Sequence, residues 1–448
     1  MTAPVSLDAI RHCLEGVIPA TLATCSPDGV PNATYVSQMQ YVDPKHVALS
    51  FQFFNKTREN ILANPQATAI VMDPVTTATY RLQLLYLRTE TAGALFQSMK
   101  AKLAGIASHA GMSGVFKLLG ADVYRVLGIE QVPTRVLERP APSRNLLNAL
   151  RCTCARLAEC TALDQLFDQT LALLDSEFDI PHALLLMADE AQQRLYIVAS
   201  RGYAATGVGS EICFGEGVIG VSAQYRTPIR ISHFTSDYGY GRAAREGAAA
   251  QALPLEAEIP FPGLPEPHSQ LAVPILAAGR LLGVLCVESP QDLRFGYDDE
   301  DALVALAAQL GSAIRALQCE VEAGSGERPS AAPWSQPAGQ PVEVRRYRAN
   351  DSVFIGGEYL VKGVPGAILW KLLKTCQDTG RCDFSNRELR LAAAELRLPE
   401  VTDNLEARLI LLQRRLAERC PDLAIEKTGR GQFRLKVARA VKLVEADA

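Results

Sequence analysis

The sequence predicts a multidomain α+β protein with three units in series, and three observations carry that expectation. Two segments rich in proline and small residues, Val132 to Ser143 and Gly324 to Pro341, divide the 448 residues into three parts. Hydrophobic periodicity changes between the parts. The first shows short alternating strands with tight turns, the second strands bracketed by long amphipathic helices, and the third strands, helices and a basic hairpin. Charge changes too: residues 341–448 hold 20 Lys and Arg against 15 Asp and Glu, whereas residues 1–340 hold 25 against 34. The expected units are 1–135, 146–320 and 342–440, with linkers at 136–145 and 321–341, the second of them flexible.

Composition bounds the function only loosely. With 48% hydrophobic and 21% charged residues and a formal charge of -4, the chain carries no global signal for nucleic acid or membrane. No apolar run approaches the ~20 residues of a membrane span. The start MTAPVSLDAIRH lacks the basic and apolar segments of a secretory signal, so a cytoplasmic address without a membrane partner is expected. Eleven cysteines in a chain this long fit a reducing compartment. Cys152, Cys154 and Cys160 lie on one periodic helix that spreads their thiols around its axis, so small buried residues are expected there and no metal site.

In the first unit, residues 6–16 (SLDAIRHCLEG) read as a short helix capped by Ser6 and closed by Gly16. SPDG turns the chain between Thr21 to Cys25 and Val30 to Gln38, and VDPKH between Gln40 and Val47. Strands at 67–73 and 80–91, a helix near 92–110 and a closing strand ADVYRVLGIEQV complete a small barrel. Its most informative stretch is Ser50 to Pro65. Phe51, Phe53 and Phe54 run into Lys56, Thr57 and Arg58 at a helix start, where first-turn amides and the helix dipole add to the cations as a phosphate cradle. The preceding strand, Pro31 to Gln40, offers hydroxyls and a carboxamide to the edge of a flat ring. An edge strand followed by a solvated basic turn is the other reading of the same spacing.

Ile18 to Gln38, followed by HVALSFQFFNKTREN and Asn-Pro, resembles the pyridoxamine-phosphate-oxidase-like split barrel, an FMN-binding family, over roughly the first 130 residues. The resemblance implies that Tyr35, Val36 and Ser37 lie along the isoalloxazine, that Phe51, Gln52 and Phe53 form the second flavin strand, and that Lys56, Thr57 and Arg58 hold the phosphate. It also implies a homodimer with the flavin at the subunit interface. Lys-Thr-Arg stands where the oxidases usually show Ser-Arg-Lys. A carboxy-terminal Trp and Arg pair completing the oxidase substrate site is missing. Some members of the superfamily hold haem or a deazaflavin instead.

The second unit starts with the Cys-bearing helix and ends with the helix Asp298 to Leu317. Gly215-Glu216-Gly217 leading to Ile219-Gly220, the Val273-Pro274 strand and the Gly283-Val284 partner strand resemble a GAF domain, which implies a small-molecule effector bound there. The Asn-Lys-Phe-Asp-Glu set of cyclic-nucleotide-binding members is not found. Residues 234–268 read as a lid or partner contact over the pocket, bracketed by His233 and His268. No G-x-S-x-G, P-loop or H-E-x-x-H occurs, and no catalytic acid or base stands out.

In the third unit, short strands lead to a helix at 367–376, a helical piece capped by Ser385 with Glu388 three positions on, and the segment Glu400 to Arg419. Val401, Leu405, Leu409, Leu412 and Leu416 form its apolar stripe, with Asn404, Arg408, Arg414 and Arg415 on the other side. Leu423 to Val437 reads as a hairpin tipped by Gly429-Arg430-Gly431. The layout resembles the winged-helix effector domains of bacterial response regulators. That resemblance implies double-stranded DNA as partner, base-facing positions at Asn404, Arg408 and Leu411, a basic helix end at Arg414 and Arg415, and wing contacts from Lys427, Arg430 and Arg434. A solvated helix face is the plain alternative for the arginines. Together the units read as a flavin-binding, GAF-containing one-component transcriptional regulator. The competing expectations are an FMN-dependent oxidase or reductase with regulatory domains, and a cofactor-free interaction protein.

Overall fold

In the computed structural model the described residues are 5–14, 18–36, 38–52, 55–93, 95–100, 103, 118–139, 144–231, 259–324, 340–393, 396 and 404–446. Ser37, Phe53, Phe54, His233, Val401 and most of the expected helix at 92–110 lie outside them, although 95–100 are helical.

The first unit opens with a 3-10 turn, Asp8–Leu14, whose Ile10, Cys13 and Leu14 are buried. Seven strands follow: β1 (Ala20–Cys25), β2 (Pro31–Val36), β3 (Met39–Asp43), β4 (His46–Phe51), β5 (Gln66–Met72), β6 (Thr79–Glu90) and β7 (Gly120–Val132). They pair antiparallel in the order β2-β1-β5-β6-β7-β4-β3. Alternation drives the burial, as in β5, where Ala67, Ala69 and Val71 turn inward and Gln66 and Ile70 outward. The expected continuous strand Pro31 to Gln40 is instead two strands on opposite sheet edges, because β2 pairs with β1 while β3 pairs with β4. Register shifts at Gln83/Leu84 and Tyr86/Arg88 bend the long β6 against β7 around a core of Leu22, Val47, Leu82 and Tyr124. Helix α1 (Lys56–Ala63) follows β4, capped by Asn55, whose side chain accepts from the Arg58 amide. The expected linker holds to the barrel at its start, where Leu137 N donates to Thr76 O at 2.8 Å and Arg139 pairs with Asp73.

The second unit begins with α2 (Leu146–Leu157) and α3 (Leu163–Phe178). The single Cys-bearing helix expected there is broken at Ala158, and Cys160 lies buried in the connection. Strands β8 (His182–Asp189), β9 (Arg194–Arg201), β10 (Glu211–Cys213), β11 (Ile229–Ile231), β12 (Ser269–Ala277) and β13 (Arg280–Ser289) form an antiparallel sheet in the order β10-β9-β8-β13-β12-β11. Pro274 pairs opposite Val284 as expected, beyond the Ile229 to Ile231 segment that pairs on the other side of β12. Helix α4 (Gly217–Tyr225) covers one face, while α2, α3 and α5 (Tyr297–Gly324) cover the other. Gly220 is required: a Cβ there would stand 2.2 Å from the Cys213 carbonyl oxygen. Helix α5 outruns the expected Leu317. Its Tyr297–Cys319 portion is long and apolar enough to cross a membrane, with mean hydropathy 1.4, against the expectation that no run approaches that length. Here its Leu303, Leu306, Leu310 and Ile314 are core residues.

The third unit has two sheets. One, in the order β16-β15-β14-β20, joins β14 (Val342–Tyr347), β15 (Ser352–Ile355) and β16 (Glu358–Val361) to β20 (Val441–Ala446), which runs parallel to β14. The unit therefore extends past the expected end at 440. The other is β17 (Asp383–Ser385), β19 (Gln432–Val437) and β18 (Leu423–Gly429), with the expected hairpin between the last two. Helices α6 (Val364–Thr379), α7 (Asn386–Leu391) and α8 (Leu405–Arg419) lie between. Ser385 Oγ accepts from Glu388 N at 3.3 Å, the cap the spacing predicts. Cys376 and Cys382 are joined as a disulfide across the turn after α6, which brings their Cα atoms to 5.1 Å, against the expected reducing compartment.

Candidate functional site

Strands β2 and β4, the start of α1 and strand β7 enclose a cavity of about 280 Å³ in the first unit. Tyr35, Val36, Phe51, Gln52, Thr57 and Arg58 all line it, so most of the predicted set converges. Lys56 does not line it. The ammonium stands at the helix start, half exposed, 3.6 Å from Glu59. Residues unforeseen from sequence complete the wall. Arg58 donates to Asp122 at 2.6 Å and to Thr89 at 2.8 Å, with its guanidinium 4.4 Å from the Phe51 ring centroid. Thr57 Oγ1 accepts from Asn32 at 2.8 Å. An acid two residues from Tyr124 on the inward face of an apolar strand was the signal for Asp122.

Two lining atoms, Gln52 Oε1 and Tyr124 Oη, are buried without a hydrogen-bond partner among the described residues. Burial holds the Tyr124 phenol well above its usual value, with the Asp122 carboxylate adding to the effect. An acceptor and a neutral hydroxyl left unsatisfied beside aromatic walls fit the polar edge of a flat heterocycle such as a flavin. At the anion end the fit is through Thr57 and the α1 amides, because Asp122 already meets the Arg58 charge and Lys56 stands outside the cavity. Tyr35 sits on the rim and is 78% exposed.

In the second unit the sheet face under residues 259–268 carries a buried polar cluster. Glu288, 3% exposed, accepts from Gln270 Nε2 at 2.9 Å, Tyr203 Oη at 3.1 Å and Leu264 N at 3.0 Å. Cys286 lies fully buried beside it, and burial, reinforced by Glu288, pushes its thiol well up. Gln270 Oε1 and His182 Nδ1 are buried with no hydrogen-bond partner among the described residues. Sequence reading missed this group because strand periodicity marks these positions only as interior. His268 lies outside the cluster, 3.3 Å from Asp292. Among the described residues no group of three or more His, Cys, Asp or Glu is placed to hold a metal ion.

The expected reading helix, α8, is covered. Its stripe of Leu405, Leu409, Leu412 and Leu416 is buried in its own unit, as periodicity requires. The opposite side meets the second unit. Arg408, 4% exposed, donates to Asp189 at 2.8 Å. Arg414 donates to Asp168 at 2.7 Å and to the Val198 carbonyl at 2.9 Å, and Lys427 to Asp164 at 2.5 Å. Asn404 accepts from Gln318, and Leu411 is 4% exposed. Arg415 turns within its own unit to the Leu360 carbonyl and Glu418. Arg434 pairs with Asp383 on the neighbouring strand, and Arg430 is exposed at the hairpin tip. The expectation of an outward basic face is corrected: in this conformation four of these side chains are joined to the unit before them.

With this geometry in hand, sequence families account for two of the three units. Residues 6–117 match the pyridoxamine 5'-phosphate oxidase family, and residues 162–314 match the GAF domain family. The protein is thus a mixed α/β multidomain chain with a split-barrel-like domain and a GAF domain. No curated protein matches it. Among solved structures it is similar to the GAF domain of a Coxiella burnetii phosphoenolpyruvate-protein phosphotransferase, at 23% identity over 39% of this chain and 96% of that one, TM-score 0.31. It is also similar to an FMN-binding protein from Syntrophomonas wolfei subsp. wolfei, at 17% identity over 29% and 86%, TM-score 0.25. A third is the free methionine-R-sulfoxide reductase of Neisseria meningitidis, at 20% identity over 41% and 97%, TM-score 0.31.

Proposed function

We propose that this chain is a cytoplasmic, flavin-binding, one-component transcriptional regulator that works as a homodimer. Its barrel holds FMN, its GAF unit takes a small-molecule effector, and its carboxy-terminal unit is a winged helix that grips double-stranded DNA. The observation that carries the reading is the order of the third unit: a four-stranded sheet, three helices and a glycine-tipped hairpin, with a surplus of basic residues. Support for the flavin comes from the family match of the barrel and from Gln52 Oε1 and Tyr124 Oη facing its cavity. Bound flavin supplies hydride or single-electron chemistry. Phe51 and Tyr35 would flank its ring, Gln52 would accept at its edge, and Thr57 with the first amides of α1 would hold the anion. The exposed Tyr35, with Val30 56% and Leu127 54% exposed on the same barrel, supplies apolar surface for a second copy. Gln270 Oε1 and His182 Nδ1, buried and without a hydrogen-bond partner among the described residues, offer polar contacts to an effector.

Two measurements test the reading. The purified chain should absorb near the flavin bands and release FMN on denaturation. It should also bind a promoter duplex with affinity that falls steeply as salt rises. A yellow protein that oxidises NADH and ignores DNA at low salt would instead favour the oxidoreductase.

A further inference from the structure

We infer that the GAF unit is an autoinhibitory surface that masks the DNA-reading side of α8, so that duplex binding requires the third unit to undock. The inference rests on the winged-helix reading above and specifies how that site is regulated.

Three carboxylates from two elements of the GAF unit meet three cations of α8 and β18. Asp189, at the end of β8, takes Arg408; Asp168 and Asp164, on α3, take Arg414 and Lys427. The Arg408 and Asp189 side chains are 5% and 10% exposed, which makes this the desolvated centre of the contact. Around it, Thr206 Oγ1 donates to Glu418 at 2.5 Å, Asn404 is held by Gln318 of α5, and Arg408 lies 5.5 Å from the Tyr196 ring centroid. A DNA phosphate asks for the same guanidinium and ammonium groups, so the GAF carboxylates occupy them as a phosphate would. Duplex and GAF surface are therefore mutually exclusive partners. The tether permits the exchange. Residues 325–339 join α5 to the third unit, and at ~3.3–3.6 Å per residue those fifteen positions span up to about 50 Å.

The apparent affinity for DNA is the intrinsic affinity multiplied by the undocked fraction. Removing the three GAF charges weakens docking and leaves every DNA-facing residue in place. Asp164→Asn, Asp168→Asn and Asp189→Asn keep side-chain shape, and an amide oxygen at 189 still accepts from Gln192 N, as Asp189 Oδ1 does at 3.1 Å. In the full chain this triple variant should bind a promoter-derived 30-base-pair duplex at least ~10-fold more tightly than the parent at low salt. Small-angle scattering should show a larger radius of gyration. A charge-matched control, Asp175→Asn, Glu190→Gln and Asp292→Asn, alters the same number of acids away from the contact and should do neither. Equal binding by parent and triple variant, or an equal gain by the control, overturns the masking. If neither parent nor triple variant binds the duplex although the triple variant expands, the winged-helix reading fails, and DNA masking with it. Expansion with tighter binding, absent from the control, supports both.

Discussion

Single residues divide into those the chain needs for shape and those left over for chemistry. Arg58 belongs to the first class, since its guanidinium and Asp122 are 11% and 7% exposed and each is the other's main countercharge. Arg58→Ala should therefore cost about 3 kcal/mol by stranding Asp122, seen as a lower melting temperature of the barrel. Lys56 is half exposed. Lys56→Ala should leave stability within about 0.5 kcal/mol and leave flavin affinity unchanged in a flavin titration, because the ammonium stands outside the cavity. Glu406 is a leftover of another kind. Its Oε2 is buried without a partner among the described residues, beside a cavity of about 310 Å³, and burial pushes the carboxyl above its ordinary value while Lys427 pulls it back. A carboxyl that holds its proton more tightly when folded weakens the fold as pH rises from the unfolded value of 4.5 through the raised one. Glu406→Gln should accordingly stabilise the chain by ~1 kcal/mol at pH 7 and by nothing below pH ~4, as denaturant titrations at the two pH values would report.

At the scale of elements, strands and caps were legible in the sequence and partners across units were not. The SPDG turn, the Ser385 cap, the Pro274 strand and the glycine-tipped hairpin rest on local backbone rules that one stretch of chain satisfies alone. The break between β2 and β3 was missed because alternation is blind to which neighbour a strand chooses. The same limit hid the fate of α8. Leu405, Leu409, Leu412 and Leu416 bury as their spacing predicts, but Arg415, read as part of the basic face, turns into its own unit, and a basic face reads alike whether it meets water, phosphate or Asp189. Glycine requirements belong here as well. With a Cβ at 220 only 2.2 Å from the Cys213 carbonyl, Gly220→Ala should push α4 off the turn before it, at a cost of about 2 kcal/mol or more in thermal unfolding.

Over the whole molecule, cooperativity follows the cores. One cluster runs without interruption from Phe167 and Leu285 of the GAF unit to Leu372 and Leu412 of the third, while the barrel keeps a separate core around Leu82 and Tyr124. Scanning calorimetry should thus resolve two transitions, one for the barrel and one shared by the other two units. The Asp164, Asp168 and Asp189 triple variant should split the shared one. Candidate unit boundaries are legible in composition because linkers and charge blocks are written along the chain. How the second and third units join was not, since no rule of sequence spacing couples positions such as 189 and 408.

Helix α5 starts where Arg11 of the barrel donates to Asp298 at 2.9 Å and Asp301 at 2.8 Å. Twenty-eight residues at ~1.5 Å each carry it about 42 Å, to the point where the tether to the third unit departs. It is held at its start by the barrel and along its middle by the GAF core, so barrel, GAF sheet and tether are joined through one continuous helix.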